Sequence, residues 1–179
     1  MFKSVAVALI AFGLALTPVA QAVGQTGPDY IGVFEAVNEK GSRLELERKT
    51  PQAKTKLKAL GFAGGASEYV ISGGTSPVRF NAGQRLEFVV RVQRQDIDPY
   101  STVQFFTLVP KQSTRHLPIM SAGALGIGSS RQLESRIVEF TASKYGQNFF
   151  KIRPKINLPP GEYALSTSDG KDAFLFGVD

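Results

Sequence analysis

The sequence predicts an all-β protein: an antiparallel sandwich or barrel of about eight to ten short strands in one domain. Three observations predict it. Apolar and polar residues alternate with period two through most of the chain, Gly, Pro and Asp clusters separate the alternating stretches, and no stretch between them keeps a helical period that would imply a parallel βα order.

The chain opens with MFKSVAVALIAFGLALTPVAQA, residues 1–22: one early charge at Lys3, an uncharged apolar run from Val5 to Leu16, Pro18, then Ala20-Gln21-Ala22. This is the pattern of a secretory signal peptide cleaved before Val23. Its apolar run is well short of the roughly 20 residues that a bilayer-spanning helix needs, so the mature form is expected to carry no transmembrane anchor. The expectation is a leader over 1–22 and a β domain over 23–179, in the periplasm or outside the cell. The chain has no cysteine, which excludes disulfides, thiolate metal sites and cysteine nucleophiles and leaves stability to packing. The fuel is aromatic, with 13 Phe and no Trp. Without the leader the chain holds 20 basic and 15 acidic residues, a net charge of +5 that favours solubility and attraction to anions.

QRLEFVVRVQ sets Leu86, Phe88, Val90 and Val92 on one face, SRLELER sets Leu44 with Leu46, and NFFKIRPKI sets Phe150, Ile152 and Ile156 opposite Lys151, Arg153 and Lys155. Further strands are expected over 30–37, 68–72, 77–81, 102–109, 114–120 and 136–142, with breakers at Gly73-Gly74, Ala82-Gly83, Asp98-Pro99, 121–130, Tyr145-Gly146 and Pro159-Pro160-Gly161. TPQAKTKLKALGF mixes helical and strand spacing, and its flanks favour strand or extended loop. The tail LPPGEYALSTSDGKDAFLFGVD reads as a closing hairpin. A two-residue type I′ turn at Asp169-Gly170 pairs Tyr163 with Phe176 and Leu165 with Phe174 on one apolar face, while Glu162, Ala164 and Ser166 share a smaller, mixed face with Gly177, Leu175 and Ala173.

Catalytic and metal chemistry find few parts. His116 is the only histidine, and without cysteine the usual zinc sets cannot be assembled, so a structural or surface role is expected for it. GALGIGSSR, 123–131, lacks the Lys-Ser or Lys-Thr of a phosphate cradle and reads as a connection. Asp96 and Asp98 are two carboxylates where calcium wants six or more oxygens, so a polar turn closed by Pro99 is expected. No cofactor or metal is expected. The feature that points outward is basic: Lys54, Lys56 and Lys58 form one ladder in strand spacing and Lys151, Arg153 and Lys155 another. If neighbours, they make a strip for an anionic envelope polymer, with no specific nucleic acid implied; the plain alternative is that strand lysines guard against edge-to-edge pairing.

SPVRFNAGQRLEFVVRV and the PGEYA…FGVD tail resemble segments of uncharacterised exported bacterial proteins, over a quarter to a third of the mature chain. The resemblance implies an immunoglobulin-like sandwich and carries no activity. The expected function is an exported, non-enzymatic binding or structural component of the bacterial envelope whose partner is a protein or an anionic polymer. A small outer-membrane barrel and an exported hydrolase with an unrecognised site are the alternatives; charges and prolines such as Arg91, Arg94, Pro99 and Pro154 break the long apolar segments that the barrel needs.

Overall fold

The structure, a computed structural model, describes residues 27–38, 40–57, 64–122, 130–168 and 170–179. The segment 1–22 expected to be a leader, Lys58, most of 123–131 and Asp169 lie outside the described residues. Among the described residues, fourteen strands alternate with one helical turn, α1 (Pro99–Thr102), and one 3-10 turn, Glu134–Arg136. The strands are β1 (Phe34–Val37), β2 (Arg43–Glu45), β3 (Glu47–Lys49), β4 (Gln52–Leu57), β5 (Gly65–Ser72), β6 (Arg79–Phe80), β7 (Glu87–Arg91), β8 (Val103–Lys111), β9 (Thr114–Ala122), β10 (Ser130–Arg131), β11 (Phe140–Tyr145), β12 (Phe149–Pro154), β13 (Gly161–Thr167) and β14 (Ala173–Val178).

They form two sheets. One runs β11-β12-β7-β1-β2 and the other β3-β14-β13-β8-β9-β5-β4, with β10 on β9 and β6 parallel to β14. The sandwich at the centre has the connectivity of an immunoglobulin-like domain: β1, β7, β12 and β11 stand where strands A, B, E and D do, and β8, β13 and β14 where C, F and G do. Tyr163 completes the likeness. It stands near the start of β13, and its hydroxyl donates to the Pro159 carbonyl at 2.6 Å, which is the tyrosine corner of such sandwiches. Burial raises its phenol pKa above the ordinary value.

The core between the sheets is aromatic. Phe176 lies 4.9 Å from Phe88, 5.4 Å from Tyr163, 5.6 Å from Phe80 and 6.0 Å from Phe105 between ring centroids. Leu86, Phe88, Val90 and Val92 are all buried there, as their alternation predicts. So are Tyr163, Leu165, Phe174 and Phe176, in the expected register: Tyr163 faces Phe176 and Leu165 faces Phe174.

Several expectations are corrected. The ladder of the last hairpin stops at Leu165–Phe174; the Gly170 N–H donates to the Thr167 carbonyl and the Ser168 N–H leaves for the Thr102 carbonyl, so a wider loop replaces the two-residue turn. SRLELER is not one strand. Leu46 drops into the sandwich core, so β2 ends in one sheet and β3 begins in the other, leaving Leu44 48% exposed. Ile156 follows the end of β12 and is 67% exposed. Strand structure begins at Phe34 rather than Tyr30, because a turn through Gly32 at φ +78 precedes it. TPQAKTKLKALGF does supply a strand, β4. The count exceeds eight to ten because very short strands and the inserted β3 to β5 extend the second sheet.

Candidate functional site

That insertion creates the candidate site. β3 and β4 are the two ends of the second sheet and do not pair with each other, yet only Thr50 and Pro51 separate them in sequence, so Lys49 and Gln52 lie within about 11 Å and the sheet curls toward itself there. On the other side β8 forks. Val103 to Leu108 pair with β13, whereas Val109 to Lys111 pair with β9. The slit that opens above the fork is laced by the segment after β10: the Gln132 and Leu133 N–H groups donate to the Ile119 carbonyl of β9, and Ile137 bridges to Phe106 of β8. The result is a cup outside the sandwich, lined by residues of β5, β8, β9, β13 and β14, by Leu133, and by Thr50 and Pro51 between β3 and β4.

Its interior is a second apolar cluster, Ile71, Phe106, Leu108, Leu117, Ala164, Ala173 and Leu175, with Leu133 packed against it. Unlike the sandwich core it is not full. A cavity of ≈ 570 Å³ runs through it, within the range of small-molecule sites. Ala164 and Ala173 face this space where larger residues would fill it.

The base of the cup is a charged layer. Arg115 is fully buried and all five of its guanidinium N–H groups are used. Nε donates to the Gly73 carbonyl at 2.9 Å, Nη1 to Glu47 at 2.9 Å and Glu162 at 3.4 Å, and Nη2 to Glu47 and the Ser72 carbonyl, both at 3.1 Å. Glu162 also accepts from the Ser76 N–H at 2.9 Å and from Arg79, which reaches on to Asp179. The hydrogen bonds that Arg79 donates to Asp179, then to Glu162, raise its pKa against the opposing effect of burial. Gly177 leaves room for this contact, since a Cβ there would fall 1.7 Å from the Arg79 guanidinium and push it aside. Every charge in the layer is answered, so it closes the cup without offering a reactive group.

The mouth is polar: Gln104, Ser166, Thr167, Ser168, Lys171 and Asp172 line it. Asp172 is held by the Thr50 hydroxyl at 2.8 Å and Arg48 Nε at 2.7 Å, and these hydrogen bonds keep its carboxyl below the ordinary carboxylate range. Among the described residues no carboxylate stands within ion-pair distance of Lys171.

The sequence-predicted residues lie elsewhere. Lys54 and Lys56 are exposed on β4, at the end of the second sheet, and Lys56 pairs with Glu68 at 3.2 Å. Lys58 lies outside the described residues. Lys151 and Arg153 are on β12 in the other sheet, both paired with Glu87, and Lys155 pairs with Glu139 at 2.9 Å. The two ladders therefore do not sit on adjacent strands.

His116 is buried on the outer side of the cup wall. Its Nδ1 lies 2.8 Å from Glu68 Oε2 and 3.3 Å from Lys111 Nζ, and its Nε2 lies 2.8 Å from Thr114 Oγ1. Burial raises the Glu68 pKa, but the hydrogen bonds from His116 and Lys56 outweigh it and the net direction is downward. Hydroxyl, imidazole and carboxylate stand in the order of a hydrolytic relay, yet none of the three lines the cup. Asp98 caps α1 by accepting the Tyr100 N–H, and Asp96 is bound by Arg94, so both serve a turn as expected. No cluster of three or more His, Asp or Glu stands together among the described residues, and none of their helices is long and apolar enough to cross a membrane.

The cup had a signal in the sequence. AFLFGV, 173–178, is apolar at every position rather than at alternate ones, which marks a strand covered on both faces. What covers the second face lies more than 50 residues away, in β5 and β9, and no local pattern joins them. No family model, curated protein or solved structure matches the chain.

Proposed function

We propose that this is an exported, non-enzymatic binding protein of the bacterial envelope, and that its site is the cup. The observation that carries this reading is the ≈ 570 Å³ cavity lined by apolar side chains on the outer face of a sandwich whose own core is closely filled. An apolar cluster that only served stability would fill its interior, because unfilled apolar space forfeits dispersion contacts. The signal-peptide pattern supplies the compartment, where carriers of water-insoluble molecules have work to do.

The cationic-strip reading draws less support. Lys56, Lys151, Arg153 and Lys155 each have a carboxylate partner, and exposed pairs of this kind suit solubility and edge protection.

The test is titration of the folded protein with the neutral fluorescent probe N-phenyl-1-naphthylamine. Wild type is expected to enhance its emission saturably, and Ala164→Phe, which fills the cup, to abolish the enhancement while keeping the circular dichroism spectrum. Equal enhancement by both proteins contradicts the reading. Cell fractionation checks the compartment: recovery only in detergent-extracted membranes would overturn the exported soluble form.

A further inference from the structure

The cup is polarised along its length, and the strand register shows how. Along β8, Gln104 stands opposite Ser166, Phe106 opposite Ala164 and Leu108 opposite Glu162. The lining therefore passes from amide and hydroxyl groups at the mouth, through an apolar middle, to the charged base. That base is saturated: Arg115 has no N–H left to give, so a polar ligand group gains nothing by entering tail-last. At the mouth the opposite holds. Arg48 and Thr50 already satisfy Asp172, while Lys171 lines the cavity without a carboxylate partner among the described residues, beside the side chains of Thr167 and Ser168.

From this polarity we infer that the ligand is a single-chain amphiphile with an anionic head, its tail toward Leu108 and its head at the mouth against Lys171. This rests on the cup being the binding site, and adds the ligand's class and direction. The four residue steps from Gln104 to Leu108 span about 14 Å, which suits an alkyl chain of roughly ten carbons. An ammonium head would meet Lys171 as a like charge, and a neutral head would gain no charge-assisted contact from it. A carboxylate or sulfate head accepts hydrogen bonds from the ammonium and the neighbouring hydroxyls.

Decanoate, decanol and decyltrimethylammonium, each below its micelle concentration, are titrated by calorimetry into wild type, Lys171→Met and Ala164→Phe. Lys171→Met keeps the apolar stem and removes the charge. Wild type is expected to bind decanoate about tenfold or more tighter than decanol, with the cation weakest; Lys171→Met is expected to lose that preference while holding decanol unchanged, since only the charged head draws on the ammonium. Ala164→Phe is expected to bind none of the three. Equal affinity for decanoate and decanol in wild type, both lost in Ala164→Phe, overturns the anionic head and leaves the cup standing. A preference for decanoate that survives in Lys171→Met overturns the role of Lys171. No binding of any of the three by wild type overturns the cup itself.

Discussion

The two interiors of this molecule are built on the two faces of the same strands, and they are packed to different ends. The inward faces of β8, β13 and β14 present Phe105, Tyr163, Leu165, Phe174 and Phe176 to the opposing sheet, where Phe34 and Phe88 meet their rings at 4.9 to 5.9 Å. Their outward faces present Phe106, Ala164, Ala173 and Leu175, and the inserted strands that cover them leave a cavity. One face is filled by large residues that specify a fold, while the other is kept open by small ones. A strand buried on both sides can thus hold the protein together and line a site at once.

The contrast can be broken most forcefully by truncation. Phe176→Ala should cost about 4 kcal/mol of unfolding free energy by chemical denaturation, since its space in the sandwich has no water to admit; Leu117→Ala should cost about 2 kcal/mol, because its loss only enlarges space already present. Equal costs would mean that the cup is packed like the core. Next in size is the charged base. Arg115→Met should cost about 3 kcal/mol by removing the bidentate partner of Glu47 and one of the two arginines on buried Glu162, which keeps Arg79, and the same denaturation experiment reads it.

Enlargement sharpens the comparison from the other side. Ala36→Leu, in the sandwich, should destabilise by about 1–3 kcal/mol through overpacking, whereas Ala164→Leu should lie within about 0.5 kcal/mol of wild type. The smallest effect is one of pH. Asp172 has its carboxyl held below the ordinary range by Thr50 and Arg48, so its folded pKa lies below its unfolded one. The stability that this gives is present above the unfolded value of about 3.9 and is lost as pH falls through the folded value. Asp172→Asn should therefore show a shallower loss of stability than wild type over acid titration followed by thermal melting.

Much of the sandwich was legible because its determinants are local. The alternation in QRLEFVVRVQ buries Leu86, Phe88, Val90 and Val92, and the register of the last hairpin follows from which face of it is apolar. Local pattern failed where distant partners decide. Leu44 and Leu46 alternate alike, yet only Leu46 finds the core, since the chain changes sheets there. The hairpin loop widens because Ser168 and Asp172 take partners from Thr102, Arg48 and Thr50. The basic ladders were visible as spacing, but their carboxylate partners Glu68, Glu87 and Glu139 come from other strands or from outside the strands. The cup itself needed the meeting of β3, β5, β9 and β14, which spacing within any one segment does not encode.

The central claim is that the cup is an open binding site, and intermolecular nuclear Overhauser effects test it most directly. With methyl-labelled Ile, Leu and Val and unlabelled decanol as the neutral probe, cross-peaks from the alkyl chain to the methyl groups of Ile71, Leu108 and Leu117 are the predicted result. Cross-peaks confined to residues outside the cup, or none at decanol concentrations that saturate the calorimetric titration, would contradict it.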